Sequence, residues 1–137
     1  NLQLMTYLTA ICPNIDVGTA AVIVPWHDPL RVAEQAAVLD NLSKGRLRLG
    51  LGRGLARREF EAFRLSMDES RGRFDEAAPM IVKALETGFI EGNGKYYNQL
   101  QKHLLSHCPL FFRQHFDAQM ESKINSHKYD INNSRLN

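Results

Sequence analysis

Gly50-Leu51-Gly52-Arg53-Gly54 is the stretch in which residue types and spacing most directly suggest chemistry. Bare glycine backbone lets a phosphate or a flat ring approach the main chain. The free N–H groups at the start of a following helix favour an anion, and a guanidinium binds phosphate oxygens in a two-pronged fashion. Two other readings remain open beside this one. A dinucleotide-binding loop would need a glycine where Leu55 stands, so the spacing is wrong. Asp68 and Glu69 lie at a suitable distance for a ribose-binding acid, but they also fit a helix-capping pattern. The third reading is a turn whose glycines merely permit tight packing.

Other chemistry-bearing residues carry less. His103 and His107 are four apart, with Cys108 beside them and His115 further on. A zinc centre needs four closely placed ligands at recurrent short spacings, which this set lacks, so no metal is expected. Arg53, Arg57, Arg58 and Arg64 cluster, but Glu59 and Glu61 interleave with them, which reads as a solvated helix face. Asp40 and Arg46 bracket a strand entry and read as ties between helix and strand. Trp26 and His27 follow a strand end, where they line a pocket or pack.

These residues need elements to position them. Leu4, Leu8 and Ile11 share a helical face, and Pro13-Asn14 stops that helix. Ile15 to Val24 is β-branched and nearly uncharged, the pattern of a strand covered on both faces, ended by Pro25. Asp28-Pro29 opens a helix that runs to about Ser43, with Gly45 as its left-handed stop. From Arg46 to Gly52 the period is two: Leu47, Leu49 and Leu51 share one face, Arg48, Gly50 and Gly52 the other. After a charged stretch from Ala56 to Phe63, Ser66-Met67-Asp68-Glu69 has the form of a capping box. Phe74, Ala78, Ile81 and Leu85 form the apolar stripe of the helix it opens, which Gly88 ends. Pro79 falls inside that helix without a visible compensating feature. Helix, strand, helix, strand, helix with short connections implies parallel pairing. The fold class is therefore α/β, either a doubly wound sheet or a (β/α)8 barrel.

With 137 residues, 44% of them apolar, the chain suits one domain with a buried core. A charged fraction of 23% and a net charge of +2 argue against disorder and against a dedicated nucleic-acid binder. No apolar run approaches the length of a membrane span, and the first residues lack the pattern of a secretory signal. Cys12 and Cys108 form no disulfide framework, which fits a reducing cytoplasm. Glycines stop at Gly94, and four histidines (His103, His107, His115 and His127) follow Tyr97. The composition thus divides the chain into residues 1–97 and a divergent tail, 98–137.

From Val17 to about Tyr97 the sequence resembles the bacterial luciferase-like flavin monooxygenase family. The most specific stretch is Leu39-Asp40-Asn41-Leu42-Ser43-Lys44-Gly45-Arg46 followed by Leu49-Gly50-Leu51-Gly52-Arg53-Gly54. Pro25, Asp28-Pro29-Leu30-Arg31, Glu34-Gln35-Ala36, Arg58-Glu59-Phe60 and Ser70-Arg71 stand in the order of the family's pattern. The resemblance implies a (β/α)8 barrel whose cofactor, reduced FMN or in one branch the deazaflavin F420, binds at the carboxyl ends of the strands. It implies oxygenation of a small organic substrate with O2, as luciferases do with long-chain aldehydes. It makes Arg53 the ligand of the flavin phosphate and puts the Leu55 backbone near the ring. Ala20-Ala21 would be a cis peptide beneath that ring. Gly52 stands where luciferase α-subunits carry a cysteine, which favours the wider family over a luciferase.

A barrel of this kind needs about 250 residues. The expectation is therefore an internal fragment with too little chain to close, holding FMN weakly or not at all when alone. The alternatives are a non-catalytic homo- or hetero-oligomeric subunit acting through protein partners, and a small nicotinamide-dinucleotide domain. No nucleic-acid or membrane partner is expected.

Overall fold

The computed structural model describes residues 2–104. In chain order the elements are α1 (Leu2–Ile11), β1 (Val17–Gly18), β2 (Val22–Ile23), α2 (Pro29–Ser43), β3 (Leu47–Arg48), β4 (Leu51–Gly52), α3 (Arg57–Ala62), α4 (Ser70–Thr87), β5 (Phe89–Asn93) and β6 (Asn98–His103). β1 pairs parallel with β3, Val17 opposite Leu47, and β2 parallel with β4, Val22 opposite Leu51. The class is α/β with short parallel pairs. β5 and β6 add an antiparallel hairpin, which the alternation of strands and helices does not imply.

Each of the two expected strands is broken into two pieces. The break lies at Thr19, whose hydroxyl donates to Gly50 O and accepts from Gly50 N, both at 2.9 Å. A side chain there takes the place of the backbone ladder, which resumes as Val22 N donates to Gly50 O at 2.8 Å. The Ala20–Ala21 peptide between the two pieces is cis, as the resemblance implied.

The two faces of the parallel pairs differ. Leu47, Leu49 and Leu51 pack against a core built from Val22, Val24, Val32, Ala33, Ala36, Ile81 and Leu85 among others. Val17 and Val22 are buried while Gly18 and Ala20 are exposed. Among the described residues the segment from Ile15 to Val24 is thus covered on one face, not two. On the open face Arg48 pairs with Asp16 at 2.6 Å.

The Asp28-Pro29 start is as expected: Asp28 Oδ1 accepts from Leu30 N at 2.9 Å and Arg31 N at 3.3 Å. At the other end of α2, Lys44 enters the left-handed region before Gly45 does. The face of α1 differs from the expected one. Thr9 is buried, Leu8 is half-buried, and Leu4 and Ile11 are exposed. The capping box does not close: Ser66 Oγ accepts from Asp68 N at 3.3 Å and opens a 3-10 turn, while Glu69 pairs with Arg73 at 2.9 Å. The helix proper starts at Ser70 and buries Ala77, Ile81, Ala84 and Leu85. Pro79 lies on its exposed side, where water can reach the carbonyl that loses its donor.

The hairpin lies against α4, with Ile90 and Leu104 fully buried. The compositional boundary near Asn98 falls between its two strands, and residues up to Leu104 pack in the same core. Glu76 on α4 secures the turn: Oε1 accepts from Lys95 N at 2.9 Å, and Oε2 from Tyr96 N at 2.8 Å and Tyr97 N at 3.2 Å. Desolvation raises the Glu76 carboxyl, but the three N–H donors and the Lys95 charge outweigh it and hold its pKa below the usual value. A carboxyl depressed on folding contributes stability above its unfolded pKa and loses it as pH falls through the folded one. Amide exchange at Lys95, Tyr96 and Tyr97 is therefore expected to accelerate on acidification through that range. Glu76→Gln should abolish the acid dependence, and a wild-type turn equally protected at acidic and neutral pH would refute the assignment.

Candidate functional site

Ala20 and Ala21 lie between β1 and β2, Gly52 pairs with Ile23 and lies beside Ala21, and Arg53 and Leu55 follow β4. A Cβ at Gly52 would lie 3.2 Å from both Ala21 Cβ and Ile23 Cδ1. A Cβ at Gly50 would lie 2.3 Å from Thr19 O. At both glycines the neighbouring segment approaches closely. Of the open readings, the packing one accounts for Gly50 and Gly52. Gly54 adopts φ +82°, and a Cβ there would meet Ile23 Cγ2 at 2.7 Å and the Phe60 ring at 3.0 Å.

The small side chains around Ala20 face the open side. Ala20 is exposed and Ala21 half-buried. Arg53 is half-buried, and its guanidinium has no hydrogen bond or ion pair among the described residues. By contrast Arg46, Arg48 and Arg73 are all engaged. Leu55 is 78% exposed. Among the described residues Arg53 is thus an unpartnered cation between Gly52 and the left-handed Gly54. Such a cation suits an anion.

Trp26 packs rather than opening a pocket. Its ring stands edge-on to Phe60 at 5.7 Å between centroids and stacks on Phe63 at 5.0 Å. The indole Nε1 is buried without a partner among the described residues. His27 faces the helical side instead, in a cavity of about 340 Å³ shared with Thr6, Glu34 and Gln35. Burial pushes its imidazole pKa down. Sequence reasoning missed two contributors here: Thr19, whose hydroxyl clasps Gly50, and the Phe60–Phe63 pair that holds α3 against Trp26. The alternation of Phe60 and Phe63 with charged residues was the available signal for the second.

Arg57, Arg58, Glu59 and Glu61 are exposed around the buried Phe60, the solvated face the sequence suggested. His103 lies edge-on to Phe89 at 4.9 Å. His107, Cys108 and His115 lie outside the described residues. Among the described residues no group of three or more His, Cys, Asp or Glu side chains gathers as a metal site. No helix there is long and apolar enough to cross a membrane.

Comparison with known proteins follows the same lines. The model of a family described as luciferase-like monooxygenase matches residues 1–113. The alkanal monooxygenase alpha chain of Aliivibrio fischeri is 38% identical over 83 residues, 61% of this chain and 23% of that protein. The chain therefore spans about a quarter of that relative's length. The crystal structure of the monooxygenase RslO1 from Streptomyces bottropensis superposes with a TM-score of 0.75 at 31% identity, over 79% of this chain and 33% of that one. The oxygenating constituent of 3,6-diketocamphane monooxygenase from Pseudomonas putida, solved in complex with FMN, shares the fold, with a TM-score of 0.65 at 19% identity, over 72% and 28%.

Proposed function

The chain belongs to the luciferase-like monooxygenase family, and from that membership we propose that its strand ends form part of a flavin site for oxygenating a small organic substrate with O2. The observation that carries this reading is the Arg53 guanidinium, without a partner among the described residues, next to Gly54 at the end of β4. Arg53 holds the phosphate of reduced FMN. The ring lies against Ala20, Ala21 and Gly52, with the Leu55 backbone at its edge. The bound flavin supplies the electrons that activate O2. The residues of this chain bind the phosphate, fix one face of the ring and keep water from it. The phosphate end of the fit rests on the half-buried Arg53, whose guanidinium has no partner among the described residues. At the ring it rests on the small side chains of Ala20 and Ala21. F420 carries a phosphate that Arg53 serves equally, so it stands as the alternative cofactor.

The two parallel pairs belong to a (β/α)8 barrel whose other strands come from outside the described residues. The chain works as one subunit of a larger assembly, a reading favoured by its similarity to a protein named as an alpha chain. Two pairs offer part of a cofactor's contacts, so affinity is low. Titration of the isotope-labelled chain with FMN, followed by NMR, is expected to move the amides of Ala20, Ala21, Arg53 and Leu55 at millimolar flavin. Arg53→Met should weaken this about 30-fold, the loss of one charge-assisted phosphate contact. Shifts centred elsewhere, or a stronger response to NAD, would remove the flavin reading. Micromolar affinity by anaerobic calorimetry would remove the incomplete site. A parallel titration with F420 distinguishes the two cofactors.

A further inference from the structure

We propose that Thr19 is the positioning residue for the flavin ring: its hydroxyl closes a bulge that turns two neighbouring alanines, Ala20 and Ala21, to the open side of the strands. This role rests on the flavin reading above and names the group that holds the ring's support in place. Val17 lies opposite Leu47 and Val22 opposite Leu51. Between these pairs the first segment therefore carries one residue more than its neighbour. Such a bulge is rare between parallel segments, and it re-aims side chains where it occurs. Its effect shows in the burial pattern. Val17 and Thr19 are buried before it, Val22 and Val24 after it. Strict alternation would send residue 21 inward. The extra residue instead leaves Ala20 and Ala21 side by side between two inward positions. Ala20 is exposed, and the Ala21 Cβ lies on the side to which a Cβ at Gly52 would project, 3.2 Å from it.

A bulge disrupts the ladder locally, and the polar groups it frees need other partners. Thr19 N still donates to Arg48 O at 3.1 Å. At the next rung Gly50 O takes Val22 N at 2.8 Å, where an unbroken register would bring residue 21. Gly50 N donates to Thr19 Oγ1, and that hydroxyl donates back to Gly50 O, both at 2.9 Å. One hydroxyl serves both polar groups of Gly50 because it accepts and donates at once. Thr19 is only 8% exposed, which leaves water little access to take over either bond. The exposed Ala20 has little packing of its own to fix it. The clasp on one side and the Val22–Gly50 bond on the other therefore set where the two alanines stand. A surface that receives a flat ring must be held to within about 0.5 Å. Arg53 follows β4 and holds the phosphate without help from this bulge.

NMR titration of the full isotope-labelled chain separates the two ends of the ligand. Inorganic phosphate probes Arg53 alone, and FMN probes Arg53 and the alanines together. Thr19→Val keeps the side-chain shape and removes both hydrogen bonds. It is expected to weaken FMN binding about 10-fold, of the order of one or two net hydrogen bonds. The Arg53 response to inorganic phosphate should stay as in the wild type. Thr19→Ser keeps the hydroxyl and should bind FMN within about twofold of the wild type. FMN shifts at Ala20 and Ala21 that survive unchanged in Thr19→Val would overturn the role of Thr19 and leave the flavin reading standing. Loss of the phosphate response together with the FMN response would mark general damage to the fold, and would overturn it too. Should Thr19→Val fail to fold, the wild type decides by reciprocity of coupling. FMN must slow amide exchange at Gly50 and inorganic phosphate must not; an unchanged rate under FMN refutes the role. Wild-type FMN shifts centred elsewhere would remove the flavin reading itself, and the role of Thr19 with it.

Discussion

Arg46→Ala is expected to lower the unfolding free energy by about 4 kcal/mol in urea denaturation, since hydrogen bonds to a charged group are worth about 1.5–3 kcal/mol each. The guanidinium collects carbonyls from three segments. Nε donates to Ser43 O at 2.9 Å and Nη2 to Thr9 O at 3.1 Å. Nη1 donates to Cys12 O at 2.9 Å and also to Ile15 O. Ser43 is the last residue of α2, while Thr9 and Cys12 lie at the end of α1. A positive charge there complements the negative ends of two helix dipoles at once. The Arg46 backbone adds a further tie, its carbonyl accepting from Val17 N at 3.0 Å where the β1–β3 pair begins. Arg46→Lys keeps the charge but can reach only part of this set, so it should recover less than half of the loss. Equal stability of wild type and Arg46→Ala would show the cluster to be energetically idle.

Gly50→Ala should cost about 3–5 kcal/mol, overpacking plus the loss of two hydrogen bonds. The added methyl would sit 2.3 Å from Thr19 O, a backbone atom that cannot turn aside. Relief requires the segments to separate, which breaks the two 2.9 Å bonds between Thr19 Oγ1 and Gly50. Gly52→Ala is the control. Its methyl would meet Ala21 Cβ and the flexible end of Ile23 at 3.2 Å, so a cost of about 1 kcal/mol is expected. The contrast separates the two readings of the glycine-rich turn. If the glycines chiefly left space for a ligand, both substitutions would be mild in melting experiments and differ only in flavin response. A Gly50→Ala protein as stable as wild type would favour that view over close packing.

Much of the positioning scaffold was legible because local chemistry and tertiary context agree. Asp28-Pro29 starts α2, Gly88 ends α4, and the alternating leucines of residues 47–51 face the core. The Ala20–Ala21 cis bond was implied by family likeness alone, since nothing in two alanines announces it. The misreadings have physical causes. Leu4 and Ile11 share the apolar helical spacing yet stay exposed, while Thr9 satisfies its hydroxyl on Thr6 O at 2.7 Å and goes inside. Glu69 was assigned to a capping box because sequence spacing cannot show that Arg73, one turn on, offers a charged partner. The glycines at 50 and 52 look the same in sequence whether they make room or permit contact, and only the position of Thr19 and Ala21 decides. The hairpin could have been anticipated from Gly92-Asn93-Gly94, a turn set between Phe89-Ile90 and Tyr96-Tyr97. A Cβ at Gly94 would fall 2.3 Å from Glu76 Oε2, so a side chain there would push the carboxylate aside.

Trp26 is the sole tryptophan of the chain, and its ring packs against Phe60 of α3 and Phe63 just beyond it, in the segment that follows Arg53. Ultraviolet excitation near 295 nm, a wavelength at which tyrosine absorbs little, therefore interrogates a single spot. While that segment stays docked the emission is blue and shielded from quenchers. Once it lifts, the indole meets water and its spectrum moves to the red. The protein thus carries its own optical gauge of whether the loop beyond Arg53 is seated, readable without any added label.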